Sequence, residues 1–165
     1  MKTIALGVLN AFSDAGQISA KASRLPLWLR PVVSHLQSLA LLAARLYVAQ
    51  VFFLSGLTKI RDWSTTVLLF EDEYHVPFLS PELAAYMGTA GELALPVLLV
   101  LGLGTRFAAL GLSLVNVVAV VSLAEIAPAA LAGHHLWGVL LFGIALWGAG
   151  RWSADAFLPT RAAES

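Results

Sequence analysis

The chain has 165 residues, of which 59% are hydrophobic and 12% are charged, and its formal net charge is zero. Soluble domains usually carry about 25% charged residues, so this composition excludes an ordinary soluble domain and predicts a lipid bilayer as the solvent. The zero net charge and the lack of a basic face argue against binding to nucleic acid, and the absence of cysteine excludes disulfides, thiolate metal sites and thiol–disulfide catalysis by this chain.

The N-terminal segment, residues 1–35, is interpreted as a cytoplasmic tail that contains a short amphipathic helix. Its apolar run at residues 4–12 follows Lys2, a pattern that a cleaved signal peptide would also show. Polar residues from Ser13 to Gln17 interrupt this run before any good cleavage site, so cleavage is the less favoured alternative.

Four apolar stretches follow, and each has about the 20 residues that a transmembrane helix needs. Because backbone polar groups inside a bilayer must be paired within the segment, all four are predicted to be helices. The predicted spans cover residues 38–57, 84–103, 107–127 and 131–150. The sequence therefore predicts an all-α fold, with a membrane-spanning four-helix bundle in a domain of residues 36–152 and a cytoplasmic C-terminal tail of residues 153–165.

The longest connection, residues 61–83, joins the first and second spans. Its segment "DWSTTVLLFEDEY" is predicted to form a short helix at the outer leaflet, capped by Asp62 or Ser64. The run Ser80-Pro81-Glu82 predicts the start of the second span, because it combines a capping serine, a proline at the first helical position and an acid in the first turn.

Lysine and arginine residues predict the orientation of the chain in the membrane. An even number of spans places both termini on one side, and that side carries Lys2, Lys21, Arg24 and Arg30 before the first span. On the opposite side, Lys59 and Arg61 lie in a connection rich in aspartate and glutamate. The positive-inside rule therefore predicts a multi-pass membrane protein with both termini in the cytoplasm.

Several polar side chains fall well inside the predicted spans, among them Arg45, Gln50, Glu92 and Asn116. By helix geometry, Arg45 would lie roughly 10 Å from the cytoplasmic boundary and Glu92 roughly 12 Å from the outer one. Two long side chains can bridge the remaining difference in depth, so an ion pair between Arg45 and Glu92 is predicted. Arg45 also shares one face of its helix with Gly56 and Lys59.

Two interpretations of these polar groups stay open. In the first, they line an intramembrane pocket that accepts a proton, an ion or a quinone-like headgroup, because ionisable groups inside a membrane are usually functional. In the second, the pair only fixes the register of two helices, since a buried ion pair need not add stability.

Four side chains near the outer ends of the spans raise the hypothesis of a metal site: Glu71, His75, His134 and His135. Glu71 and His75 are four residues apart and can share a helix face. His134 and His135 point about 100° apart on a regular helix, so they do not readily bind one metal ion. Their spacing matches no zinc signature, and solvated histidines at the interface are the favoured interpretation.

Two segments resemble the signatures of the DoxX family. The first, "RLYVAQVFFLSGLTKIRDW", has an arginine, an aromatic-rich run and then Ser-Gly-Leu-x-Lys. The second, "GTAGELALPVLLVLGLGTRFAALGL", has a glutamate, a Leu-Gly-rich run and Thr-Arg. The resemblance covers residues 42–150, and the matching motif residues are Arg45, Gly56, Lys59, Glu92, Gly102, Thr105 and Arg106.

This resemblance implies a small four-helix bundle in a bacterial inner membrane, associated with membrane-bound redox or detoxification systems such as a thiosulfate:quinone oxidoreductase. Because the chain has no cysteine and no catalytic motif, electron transfer would depend on a quinone or on the proteins of a redox complex. Two alternatives remain, a small transporter or metal-handling protein and a scaffold that recruits a soluble partner through residues 1–35. A homo-oligomer also stays open.

Overall fold

The computed structural model describes residues 26–157, and within this range all regular structure is helical, as predicted. We number the five α-helices α1 to α5 along the chain, and a short 3₁₀ helix follows them. Their bounds are α1 Leu29–Arg61, α2 Trp63–Asp72, α3 Pro81–Leu101, α4 Thr105–Ser122, α5 Pro128–Trp147 and the 3₁₀ helix Ala154–Ala156. Of the segment 1–35, for which a short helix is predicted, residues 1–25 lie outside the described residues, and residues 29–35 form the start of α1.

Four of the helices, α1, α3, α4 and α5, are long and apolar enough to cross a membrane. Their outward faces carry large apolar side chains, including Leu54, Leu110 and Val139. Apolar surface of this extent in a soluble protein would drive association, whereas in a bilayer it contacts acyl chains. The predicted membrane-spanning helical bundle is confirmed.

Helix α1 is longer than the span predicted at residues 38–57. It has 33 residues, which corresponds to about 50 Å, whereas the hydrocarbon core of a bilayer is about 30 Å thick. Pro31 lies in its first turn, where the missing backbone N–H would have no helical partner, so the helix continues through it. Part of α1 therefore extends beyond the hydrocarbon core.

The four long helices form a closed ring in which α1 packs on α3, α3 on α4, α4 on α5 and α5 on α1. One end of the bundle carries α2, and we call it the α2 end. The other end carries the turn between α3 and α4 and the residues after α5, and we call it the C-terminal end. The fully buried core is formed by small and aliphatic side chains from all four helices: Val48, Ala49, Leu99, Ala108, Ala109, Leu112, Leu141 and Ile144.

Helices α1 and α3 approach each other closely at Gly56. A Cβ atom at this position would lie 2.9 Å from the side chain of Leu93 and 3.2 Å from Cβ of Glu92. Only glycine fits without displacing these neighbours, and small residues allow transmembrane helices to pack at short range. Gly56 therefore positions the middle of α3 against the last turns of α1.

Helix α2 is held across the α2 end by its caps. Of the two predicted caps, Asp62 is the one used, because its carboxylate accepts a hydrogen bond from the backbone N–H of Thr65 at 3.0 Å. The hydroxyl of Thr66 donates to the carbonyl of Lys59 at 3.0 Å and so ties α2 to the end of α1. Ser80 caps α3 as predicted.

A methyl group at Gly56 is expected to destabilise the bundle. We expect Gly56→Ala to lower the free energy of unfolding by about 1–3 kcal/mol, as overpacking usually does. Gly88→Ala is the control, because its new Cβ would lie 3.7 Å from the ring of Phe70, an ordinary contact. Titration with sodium dodecyl sulfate, followed by tryptophan fluorescence, measures both variants. Equal losses would contradict close packing at Gly56.

Candidate ligand cavity at the α2 end of the bundle

Arg45 lies at the C-terminal end of the bundle and is only 1% exposed. Its Nε donates to the carbonyl of Leu99 at 2.9 Å, and one Nη donates to the carbonyl of Val100 at 3.0 Å. The other Nη donates to the carbonyls of Ala149 and Trp152. The guanidinium thus binds four backbone carbonyls that lie at or just beyond the ends of α3 and α5.

This arrangement contradicts the predicted ion pair between Arg45 and Glu92. Carbonyls at the C-terminal end of a helix have no partner within the helix and carry the negative end of its dipole, so they attract a cation. The rigid fork of donors in a guanidinium can serve several of them at once. Arg45 therefore joins the ends of two helices, and its role in the structure is architectural.

Asp155 completes this end of the bundle. Its carboxylate accepts hydrogen bonds from the backbone N–H groups of Gly104 at 2.7 Å and Thr105 at 2.9 Å, at the start of α4. Burial alone would raise the pKa of Asp155, but these hydrogen bonds and the charge of Arg45 outweigh it and hold that pKa below its usual value. Residues 153–156, the first part of the predicted C-terminal tail, pack against the turn between α3 and α4.

Gly102 allows this close packing. It ends α3 with a φ of +68°, a conformation that glycine adopts without strain. A Cβ atom here would also lie 2.4 Å from Cβ of Ser153 and 2.9 Å from the guanidinium of Arg45. Both the backbone conformation and the space around it require glycine.

Glu92 pairs with Lys59. The Nζ atom of Lys59 lies 2.6 Å from a carboxylate oxygen of Glu92, and it also donates to the hydroxyl of Ser55 at 3.0 Å. The two charged side chains are 20% and 10% exposed. Because neither is in full contact with solvent, each depends on the other to offset the cost of leaving water.

The pair lies at the wall of a cavity of about 570 Å³ inside the α2 half of the bundle. Most of the wall is apolar and comes from all four long helices, and α2 and the connection after it add Phe70, Tyr74 and Val76. Burial raises the pKa of the Tyr74 hydroxyl, and the negative charges of Glu92 and Glu73 raise it further. Such an apolar cavity with a few polar groups is typical of a site for a small molecule.

Among residues 26–157, two polar groups on residues that line this wall are buried without a hydrogen-bond partner: the hydroxyl of Ser122 and the indole Nε1 of Trp137. Ser122 is 2% exposed. Buried polar groups are nearly always paired, and each unpaired one costs about 1–3 kcal/mol. Both groups can donate a hydrogen bond, and both belong to residues that line the cavity.

Asn116 contributes to the site through His134. The amide nitrogen of Asn116 donates to the carbonyl of His134 at 2.9 Å, and its amide oxygen lies 2.8 Å from Nδ1 of the same residue. Because that oxygen can only accept, Nδ1 carries the hydrogen, and Nε2 is the acceptor of the neutral ring. His134 and Trp137 both line the cavity, with their ring centroids 4.9 Å apart.

The remaining predicted site residues do not join the cavity wall. Gln50 is exposed and lines a shallow groove with Pro96 between α1 and α3. Among residues 26–157, no group of three or more possible ligands could hold a metal ion, so Glu71, His75, His134 and His135 do not form a cluster. The predicted pocket of Arg45, Gln50, Glu92 and Asn116 is thus not a single site.

Sequence reasoning missed the partner of Glu92 and the two unpaired donors. The signal for Lys59 was present, since it shares a helix face with Gly56, which touches the turn of α3 that carries Glu92. Ser122 and Trp137 belong to no sequence motif. They become candidate site residues only because the folded structure leaves Ser122 Oγ and Trp137 Nε1 without a hydrogen-bond partner among the described residues. Asp155 lies in the segment predicted to be a C-terminal tail.

The family profile described as DoxX matches residues 40–125, slightly more than half of the chain. The chain is a member of the DoxX family. Together with its four apolar helices, this membership makes it an integral membrane protein of the DoxX type. No curated protein and no solved structure is significantly similar to it.

The residues by which the chain resembles the DoxX motifs divide between the two ends of the bundle. Arg45, Gly102 and Thr105 meet at the C-terminal end, and Arg106 beside them donates to the carbonyl of Leu146 at 3.3 Å. The motif residues Gly56, Lys59 and Glu92 lie together at the wall of the cavity or directly behind it.

Asp155→Asn tests the cap on α4. The lowered pKa means that the ionised carboxylate stabilises the folded state above the ordinary aspartate pKa of about 3.9, and that this stabilisation is lost as the pH falls through the lower folded-state value. We expect the free energy of unfolding of the wild type to exceed that of the variant by about 1 kcal/mol at neutral pH. This difference should disappear below about pH 4.

Thermal unfolding in detergent across this pH range measures the difference. Asp72→Asn, an exposed aspartate at the α2 end, is the control and should keep the pH dependence of the wild type. If Asp155→Asn also keeps it, Asp155 does not cap α4.

A pair of double-mutant cycles tests the assignment of partners. For Lys59→Met and Glu92→Gln we expect a coupling energy of about 1–3 kcal/mol, because each single change leaves the other group without its partner. For Arg45→Met and Glu92→Gln we expect a much smaller coupling, because Arg45 bonds to carbonyls. Unfolding titrations measure both coupling energies. A larger coupling energy in the second cycle would mean that Arg45, and not Lys59, is the partner of Glu92.

Proposed function

We propose that this DoxX-family protein is a bacterial inner-membrane subunit or accessory of a redox or detoxification system, and that its cavity accepts a lipophilic carbonyl compound of the quinone class. The observation that carries the proposal is the pair of unpaired buried donors, Ser122 Oγ and Trp137 Nε1, on two residues of a mostly apolar wall. A quinone presents two carbonyl acceptors on an apolar ring, so it matches both features. When bound, it would supply the capacity to accept electrons.

The residues of the chain have separate roles in this proposal. Trp137 and Ser122 hold carbonyl oxygens by donating hydrogen bonds, and the aromatic rings of Phe52 and Phe70 add apolar contact and exclude water. The ion pair of Glu92 and Lys59 places two charged side chains beside the cavity. Electrons would come from a partner protein, so we do not propose that the chain is a complete enzyme.

The charge distribution supports an orientation with the C-terminal end in the cytoplasm. Arg30, Arg106 and Arg151 lie toward that end, whereas the basic residues at the α2 end, Lys59 and Arg61, are accompanied by acids. By the positive-inside rule, the cavity would then lie in the outer half of the inner membrane. The alternative of a metal-handling protein has no cluster of ligands among residues 26–157 to support it.

Binding of an alkyl-substituted benzoquinone to the purified protein tests the proposal. We expect Ser122→Ala and Trp137→Phe each to weaken binding about fivefold, the equivalent of one lost hydrogen bond of about 1 kcal/mol. Native mass spectrometry during a quinone titration measures the dissociation constant without relying on tryptophan fluorescence. Trp147→Phe is the control, since Trp147 is exposed and far from the cavity along α5.

Two results would contradict the proposal in different ways. If the wild type binds no quinone, the ligand class is wrong. If it binds quinone and both cavity variants bind it equally well, the ligand lies elsewhere on the protein.

A further inference from the structure

The cavity has a side opening between α3 and α4. Toward the C-terminal end the two helices touch closely, because a Cβ atom on Gly111 would lie 2.8 Å from Leu95 and one on Gly91 would lie 3.2 Å from Val115. Beyond Gly91, toward the α2 end, the cavity lies between them. This contact forms the lower edge of a crevice, which we call the α3–α4 crevice.

The upper edge of the α3–α4 crevice is formed by the connection after α2. Tyr74 makes an antiparallel bridge with Leu123, and the backbone N–H of His75 donates to the carbonyl of Ser122 at 2.8 Å. Val115 and Ser122 are about two helical turns apart, so the crevice is about 10 Å high along α4. That height accommodates a hydrocarbon chain or an aromatic ring.

Side chains of the crevice face both the cavity and the exterior. Met87 on α3 and Val121 on α4 line the cavity, yet they are 57% and 63% exposed. A residue that is exposed and also lines an internal cavity marks an opening. Because α3 and α4 are both candidate membrane spans, this opening faces the acyl chains of the bilayer.

The α2 end of the cavity has an apolar cover that is not fully closed, because Pro77 and Leu79 within it are themselves exposed. Helix α2 and the connection after it place Phe70, Val76, Pro77 and Leu79 over the α2 end of the cavity. The ring of Phe70 stacks on that of Tyr74 with centroids 4.9 Å apart. An apolar cover with bridged ends disfavours passage of a hydrated ligand.

We propose that the α3–α4 crevice admits the ligand from the bilayer and holds its hydrocarbon tail, with the carbonyl headgroup inside against Ser122 and Trp137. This inference rests on the proposed function and adds to it a ligand class: a membrane-dissolved amphiphile whose headgroup accepts hydrogen bonds and whose tail is aliphatic. The arrangement of the wall supports this occupant, because the unpaired donors are buried, whereas Met87 and Val121 at the opening are apolar and lipid-facing.

A matched pair of variants on α4 tests the crevice. Val121→Trp adds bulk at the opening, and Val117→Trp adds the same bulk one turn away on the same helix, at a residue that is 55% exposed and does not line the cavity. The probes are a benzoquinone with a decyl tail and the same benzoquinone without a tail. Native mass spectrometry and stopped-flow binding in lipid nanodiscs measure affinity and association rate.

We expect the wild type to bind the decyl compound at least tenfold more tightly than the tail-less one. Val121→Trp should reduce affinity or association rate for the decyl compound at least tenfold and leave the tail-less compound within threefold of the wild type. Val117→Trp should change neither. Met87→Trp narrows the same opening from α3 and must reproduce the effect, which keeps the test valid if Val121→Trp does not fold.

The failures of the two proposals can be told apart. If the wild type binds neither probe, the proposed function is wrong, and the proposal for the crevice, which rests on it, is wrong as well. If both probes bind equally well, or if Val121→Trp and Met87→Trp leave binding of the decyl compound unchanged, the cavity is a carbonyl site and the crevice is not its route or tail site.

Discussion

The structure depends on the guanidinium of Arg45, which donates hydrogen bonds to backbone carbonyls inside the helical bundle. An arginine within a transmembrane helix is costly unless its charge and donors are satisfied. Arg45 meets this condition by bonding to carbonyls at the ends of α3 and α5, so that its helix is tied to both neighbours at one level. Because carbonyls satisfy Arg45, Glu92 is left to pair with Lys59 at the other half of the bundle.

The two ends of the bundle therefore differ in character. At the C-terminal end, Arg45, Gly102 and Asp155 leave little space and connect three helix ends through hydrogen bonds. At the α2 end, the helices separate around a cavity whose wall includes the two residues with unpaired donors. Pro96 lies in α3 and has no backbone N–H. The helical hydrogen bond to the carbonyl of Glu92, one turn earlier, is therefore missing on the cavity side of Pro96.

This division gives a physical meaning to the motifs by which the chain resembles the DoxX family. One set of motif residues assembles the C-terminal end, where a change would act on folding. The other set, Gly56, Lys59 and Glu92, sets the distance between α1 and α3 and places an ion pair beside the cavity. A loss of function caused by changes in the first set would therefore not by itself indicate a ligand site, whereas changes in the second set act where a ligand would lie.

The sequence alone determined the all-α class, the four spans, the helix start at Ser80 and the helix face shared by Arg45, Gly56 and Lys59, because hydropathy, capping and helical periodicity are local properties. It did not determine which groups each charge would meet. That choice depends on the relative depth and rotation of the helices and on the return of residues 153–156 to the bundle, which brings Asp155 to the start of α4. The lack of hydrogen-bond partners for Ser122 and Trp137 was likewise decided only by tertiary packing. Whether a buried polar atom has a partner depends on which groups the fold brings next to it.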